Sequence, residues 1–443
     1  LNKDADNPGS LPDSLVAAGS RQAWGFNVIQ DAGEEVNQGR LGVTWEGPIA
    51  GTRGEVSGYG ILRSLTNPIP PTIIELDRLA TGLRGQIRDG LALGGVALEW
   101  TGGASLDFQR DDRLNFENDG GEVGPITLDQ LERVRALAGY LQLHADLHPR
   151  LELQGGLRYD HFRFEAEDRF APGTPEDASG SRAMDALSPS LGVEVDVVRP
   201  LGLFANVSTS IETPTTTELA NRPDGARGFN PDLEAQRTLA VEAGVRGEVA
   251  RRIRYEVTGY RAEVDDQLVP FEVPTQPGRT FFRNAGSSEH IGAEAFVRAV
   301  LPRGVTARAS YTRTAAEFVD YTPEGADLGG MRIPGVAPNQ LSARLRGERG
   351  PGWIEIAWEW VDEIPVNDTN TAHTEAYSLL DLRFGARDVQ LGSFEASPFA
   401  GIRNLTDEFY TTAVTPNAFG GRYFEPGPGR TAYLGIRAAW IRP

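Results

Sequence analysis

Two histidines stand four residues apart in the stretch HADLH, as His144 and His148. On a helix that spacing would aim both imidazoles at one zinc ion. The surrounding residues alternate instead: Leu141, Leu143, Ala145 and Leu147 take one parity, and Gln142, His144, Asp146 and His148 take the other. A period of two belongs to a strand. Two imidazoles on its polar face fall short of the three or four protein ligands zinc takes, so no metal site is expected. The acidic run DDRLNFENDGGE, from Asp111 to Glu122, offers oxygen ligands of the kind calcium takes, but without the spacing of a calcium-binding loop. It reads as a solvated loop, where like charges stay hydrated.

Other chemistries lack their residues. No G-x-x-x-x-G-K segment followed by Ser or Thr exists to cradle a nucleotide phosphate, so the chain cannot fuel transport by nucleotide hydrolysis. No G-x-S-x-G elbow presents a serine nucleophile. The absence of Cys removes disulfides and thiolate catalysis. The expectation is a protein that is not an enzyme and carries no cofactor. A formal net charge of -19 argues against nucleic acid as a partner, because phosphate neutralisation needs a basic face. Lys3 is the single lysine, and the 52 Gly and 29 Pro imply many turns. No window approaches the ~20 continuous apolar residues of a membrane-spanning helix. The start, LNKDADNPGS, lacks the basic head and apolar core of a signal peptide, so the chain reads as a mature protein, a fragment or a cytoplasmic protein.

The elements that must hold any site are strands. In RTLAVEAGVRGEVARRIRYEVTGY, from Arg237 to Tyr260, Leu239, Val241, Ala243 and Val245 share one face and Thr238, Ala240, Glu242 and Arg246 the other. After a basic turn, Ile253, Tyr255 and Val257 alternate with Arg254, Glu256 and Thr258. This is a hairpin with one apolar and one polar face. The same pattern recurs around Leu151–Asp160, Leu341–Arg346, Ile354–Trp360 and Thr431–Trp440. Helical spacing appears only briefly, at LDQLERVRAL.

Short connections (EGPIAGTRGE, QIRDG, LHPR, VRPLG, EVARR, LPRG, ERGPG and DVQLG) alternate with long ones at 1–38, 63–78, 110–135, 165–187, 211–237, 265–289, 313–339, 361–377 and 405–430. About 17 strands lie between them. Short turns at one end and long loops at the other are the pattern of a transmembrane β-barrel. Many strands run about ten residues or longer, near the ~9–11 that cross a bilayer and beyond the ~5–6 usual in soluble sheets. A propeller would repeat every ~40–50 residues, and no such repeat is visible. A soluble antiparallel protein with one face in a core is the competing reading. The expected fold is all-β: a transmembrane antiparallel β-barrel, with about 17–18 strands in one domain over 1–443. Leu239 and Val241 would meet lipid, and Glu242 and Arg246 a polar lumen. Tyr159, Trp353, Trp360 and Trp440 suit aromatic girdles at the interfaces. Bacterial barrels have even strand counts, so an odd count implies at least one further strand at the N-terminal side.

Three segments resemble the barrel of a TonB-dependent outer-membrane receptor. FANVSTSIETPTTTELANRPDGARGFNPDLEAQRTLAVEAGVRG is similar to the family's Thr-Pro loop, Asn-Pro-x-Leu element and Glu-x-Gly strand, at Thr213, Pro214, Glu218, Asn230, Pro231, Leu233, Glu242 and Gly244. FFRNAGSSEHIGAEAFVRA resembles its Asn-Ala-Gly then Gly-x-Glu entry, at Asn284, Ala285, Gly286, Gly292 and Glu294. The tail looks like its Asn-Leu-x-Asp-x-x-Tyr box, at Asn404, Leu405, Asp407 and Tyr410, followed by Pro428, Gly429 and Arg430. These positions sit at strand ends and bends and read as structural.

The resemblance implies an outer-membrane location in a Gram-negative-type bacterium. It implies lipid bilayer and lipopolysaccharide as surroundings, and a barrel of about 22 strands around a plug. A plug domain and its TonB-binding box are not recognisable in this sequence. It further implies capture of a ferric siderophore or similar iron complex by the loops, with energy delivered by a TonB-type transducer through the plug. Arginines and aromatics in the long loops suit anionic, aromatic chelates; the candidates are Arg222, Arg227, Phe229, Arg279, Phe281, Arg332 and Tyr423. No His precedes Asn230 in its loop, which lowers haem as a ligand. The alternative is a passive or structural outer-membrane barrel serving as a scaffold without transport.

Overall fold

Alternating side chains dictate strands, and strands must pair to satisfy their backbone. The computed structural model describes residues 1–226, 228–275 and 279–440. One 19-stranded antiparallel sheet takes up most of the chain. Two members are short, Asn2–Asp6 and Val389–Leu391; the other seventeen follow one another in chain order from Gly33–Ile49 to Thr431–Trp440, matching the expected count. Each pairs with the next, with register shifts in four of the pairings. Val245, for example, faces both Leu203 and Val257.

The faces are inverted relative to a water-soluble sheet. Leu239 is 42% exposed, Ile356 43% and Leu434 88%. Asp111, Gln130, Glu132 and Asp160, on the other face, are buried. No second sheet covers the apolar side chains. A contiguous bare apolar surface much above a few hundred Å² does not persist in water without a partner.

The short turns, at 50–51, 94–95, 149–150, 199–200, 250–252, 302–304 and 350–351, alternate with loops at 169–179, 213–235, 266–286, 321–338, 362–376 and 404–430. Two expected long loops are strands instead. Thr52–Ile69 and Thr72–Leu93 pair without a break up to Ile69 and Thr72, across the region 63–78. Val96–Asp119 and Glu122–His148 likewise stay paired across 110–135, with register shifts between Asn115 and Asn118. The acidic run is therefore not a solvated loop. Asp111 points inward and receives two bonds from Arg78, at 2.8 and 2.7 Å, while Asp112 points outward to Arg169 at 3.0 Å. Glu122–His148 has 27 residues, roughly 90 Å at ~3.3 Å per residue, far more than a bilayer needs. The brief helical spacing at LDQLERVRAL also lies inside this strand. The turn expected at QIRDG lies instead at Gly94 and Gly95, whose positive φ angles of 59° and 87° only glycine adopts freely.

Trp353 is a further correction. It faces the polar side, with the guanidiniums of Arg346 and Arg383 at 4.2 and 5.9 Å from its ring. Its neighbour Ile354 takes the apolar side, so strand parity denies Trp353 a place in an outer girdle. The first and last long strands have open edges. Among the described residues, Thr431–Trp440 pairs only with Phe394–Arg403, and Gly33–Ile49 is paired on its outer side only at 33–38, by Leu1 and Asn2–Asp6.

Close strand approach depends on glycine at Gly247, where an added Cβ would stand 1.8 Å from the Pro200 carbonyl oxygen. Gly247→Ala is expected to lower stability by about 1–3 kcal/mol through overpacking. Gly60→Ala, with open space around it, is expected to change it by less than about 0.5 kcal/mol. Unfolding midpoints of the two variants in detergent check this, and equal midpoints would contradict the register between Leu201–Glu212 and Gln236–Val249.

Candidate functional site

The long-loop end is built by side chains that tie loops distant in sequence. In the loop 213–235, Thr215 and Glu218 form a reciprocal cap on the short helix Thr216–Ala220. The Thr215 hydroxyl accepts from the Glu218 backbone at 3.3 Å, and the Glu218 carboxylate accepts from the Thr215 backbone at 2.7 Å. The helix lays Leu219 into a cluster with Phe164, Met184, Phe229 and Leu233 on the polar face of the sheet. Asn230 donates its backbone N–H to the Leu219 carbonyl at 2.6 Å, and Arg182 donates to the Pro231 and Leu233 carbonyls at 2.8 and 3.0 Å. Pro214 is fully buried beside Thr213, just past the strand end.

The other family-motif residues are also fasteners. Asn284 clasps the Glu234 backbone at 2.9 and 3.0 Å and donates to the Asp266 carbonyl at 2.5 Å. A Cβ on Gly286 would meet the Asp320 carbonyl oxygen at 2.9 Å. Glu294 stands on the polar face between Thr258 and Thr312. Asn404, at φ 47°, accepts from the Glu408 N–H at 2.8 Å and donates to the Glu408 and Pro428 carbonyls at 2.8 and 3.3 Å. Such left-handed positions suit Asn and Asp. Leu405 donates its N–H to Leu380, Asp407 accepts from the Arg430 N–H at 2.8 Å, and the Tyr410 ring lies 5.0 Å from that of Tyr377.

The loop arginines and aromatics proposed as ligand contacts divide into two groups. Arg222 is held by Asp224 at 2.7 Å, and this bond keeps the Asp224 carboxyl down at about 2. Phe229 is buried in the cluster just described, and Phe281 is buried against Phe271 at 6.0 Å. Arg279 donates to Asn221 at 2.7 Å and lies over the Phe281 ring at 5.2 Å. Burial, with Arg113 nearby, pushes its pKa down. Arg227 lies outside the described residues.

Arg332 and Tyr423 form the second group. A pocket of about 460 Å³ lies between the N-terminal segment and the loops 362–376 and 404–430, lined by Asp13, Ser14, Thr371, His373, Tyr423 and Phe424, among others. Arg332 Nη2 reaches His373 Nε2 at 2.9 Å and Glu363 at 3.6 Å. His373 and Tyr423 thus line one opening, with the Arg332 guanidinium bonded to the imidazole, a set able to hold an anionic or aromatic ligand. Sequence reading missed His373, which stands alone in its loop with no spacing signal.

Beneath the pocket rim, Arg422 bonds Glu272 at 3.0 Å and stacks over Trp24 at 3.9 Å. Asp368 accepts from Tyr321 and Asn417, each at 2.9 Å. Burial raises the Tyr321 and Asp368 pKa values together, and the neighbouring Asp368 charge raises that of Tyr321 further. Five segments are thereby joined into one cap. Among the described residues, no group of three or more His, Asp or Glu is placed to hold a metal. His144 bonds Asp146 at 3.2 Å, and His148 accepts from the Arg150 N–H at 3.2 Å.

Known proteins share this architecture. The ferric citrate transporter FecA in its unliganded form superposes with a TM-score of 0.79 at 16% identity, over 99% of this chain and 66% of that one. The ferric yersiniabactin uptake receptor FyuA from Yersinia pestis gives 0.69 at 16% identity, over 92% of this chain and 62% of that one. The ferric-catecholate import receptor Fiu from K12 E. coli gives 0.72 at 14% identity, over 97% and 68%. The chain spans less than two thirds of the length of the first two. At such identities the likeness speaks for the fold. The family described as TonB dependent receptor-like, beta-barrel matches residues 16–405, and the chain therefore belongs to the TonB-dependent receptor family as a part of its β-barrel.

Proposed function

We propose that this chain is the barrel portion of an outer-membrane receptor that takes up a ferric siderophore or a similar iron complex. The long loops capture the ligand, and a TonB-type transducer supplies the energy through a plug. The apolar face lies against the lipid of the outer membrane, with lipopolysaccharide on the long-loop side. The pocket among the joined loops, lined by His373 and Tyr423 with Arg332 bonded to His373, carries the reading. Guanidinium and phenol groups suit the negative charge and aromatic rings of ferric chelates. The names of the three superposed structures, covering ferric citrate, ferric yersiniabactin and ferric catecholates, support the ligand class. A passive scaffold barrel gains no support from these receptors and transporters.

Ligand capture is tested by quenching of tryptophan fluorescence when the detergent-solubilised chain is titrated with ferric citrate or with ferric catecholate. Saturable quenching is expected, weakened about tenfold by His373→Ala, the effect of losing a hydrogen bond of ~1.4 kcal/mol. Equal affinity in the variant, or no saturation with either chelate, would remove the pocket from the account.

Lipid contact is tested at Val241. Val241→Arg, on the apolar face, is expected to cost about 2–4 kcal/mol of stability in lipid vesicles. Ala240→Ser, on the polar face, is expected to cost less than about 0.5 kcal/mol. Denaturant midpoints in vesicles read both changes, and comparable losses would mean that the Val241 face does not meet hydrocarbon.

A further inference from the structure

Four arginines stand in a row on the polar face near the short-turn end. Arg254 faces Arg298, Arg298 faces Arg308, and Arg308 faces Arg344, on four adjacent strands. Directly opposed residues share a face and stand about 5 Å apart, and like charges so placed repel. None of the four makes an ion pair with the described residues, and all are exposed. The nearby carboxylates are engaged elsewhere: Glu348 by Arg346 at 2.6 Å and also by Arg387, and Glu355 by Arg346 at 3.3 Å. Many arginines elsewhere in the sheet are ion-paired, as Arg78 is with Asp111 and Arg158 with Asp160. A chain of net charge -19 has carboxylates in plenty, yet among the described residues only Glu248 stands directly across from the row, opposite Arg254.

Arg298, Arg308 and Arg344 open onto one pocket of about 340 Å³, lined also by Thr306, Arg346, Arg387, Glu348 and Glu355, so that five guanidiniums there outnumber two carboxylates. Guanidinium forks match phosphate and carboxylate oxygens two at a time. We propose that the row from Arg254 to Arg344 is a binding site for a small multivalent oxyanion, of the phosphate or carboxylate class, bridging two or more guanidiniums. The site lies on the polar wall at the end opposite the loop pocket, and it stands whatever the loops bind.

The test is calorimetric titration of the full chain in nonionic detergent at constant ionic strength. The probes are inorganic tripolyphosphate and propane-1,2,3-tricarboxylate, with chloride as the control. Saturable binding of at least one probe is expected. The Arg308→Gln/Arg344→Gln double variant is expected to bind at least tenfold more weakly. Arg133→Gln, on the opposite face, is expected to bind as the parent does. Without a probe, the double variant should keep or raise the thermal midpoint, since repulsion is relieved. Binding of one probe but not the other assigns the oxyanion class. If the double variant does not fold, Arg298→Gln alone carries the comparison. Absence of saturable binding by both probes, or unchanged affinity in the folded variants, overturns the site.

Discussion

Most backbone amides in the long strands are committed sideways, to the strand before or the strand after. That commitment allows everything else. Once the main chain is satisfied within the sheet, one face can dispense with water, and Leu239, Ile356 and Leu434 can stand exposed without stranding a polar group. The same bonds fix register, and a slip by one residue would send Glu242 to the apolar side and Val241 to the polar side. The inverted faces therefore follow from pairing geometry.

The sheet alone gives a wall, and the cap gives selectivity a place to act. Its fasteners are short polar contacts made over long sequence distances. Arg422 reaches Glu272, 150 residues away, at 3.0 Å, and Asn417 reaches the Pro270 carbonyl, 147 residues away, at 3.0 Å. Buried charge-assisted contacts of this kind are costly to break singly, because the remaining partner is left without compensation. The loop residues shared with the receptor family are mostly spent on this framework, which leaves His373 and Tyr423 to line the opening, with Arg332 bonded to His373.

Strand identity was legible wherever apolar residues alternate with polar ones, and the count of long strands follows from that contrast. Legibility ended where the contrast ended. Beyond the apolar band, the strands through Asp111 and Arg113 carry charge on both faces, so they resemble loop sequence although the ladder continues. Trp353 shows a second limit: an aromatic at a strand end declares an interface but not a side, and only counting from Ile354 assigns it to the arginines. The pocket was legible in part. Arg332 and Tyr423 carry the right chemistry, while His373 joins them only because two loops fold together. Phe229 and Phe281 have the same composition signal and are packing residues, since a loop that covers its own apolar cluster uses the same residue types as one that grips a ligand.

One consequence concerns the margins of the sheet. Along one side of 39–49 in the first long strand and along one side of Thr431–Trp440, the main chain meets no neighbour among the described residues. In a medium without water, each such group left bare costs several kcal/mol. The two margins are consequently the most adhesive surfaces of the molecule, selective for extended chain and indifferent to its side chains. Whatever polypeptide lies against them fixes the circumference, so the girth of the finished wall is decided at these two lines and nowhere along the seventeen staves between them.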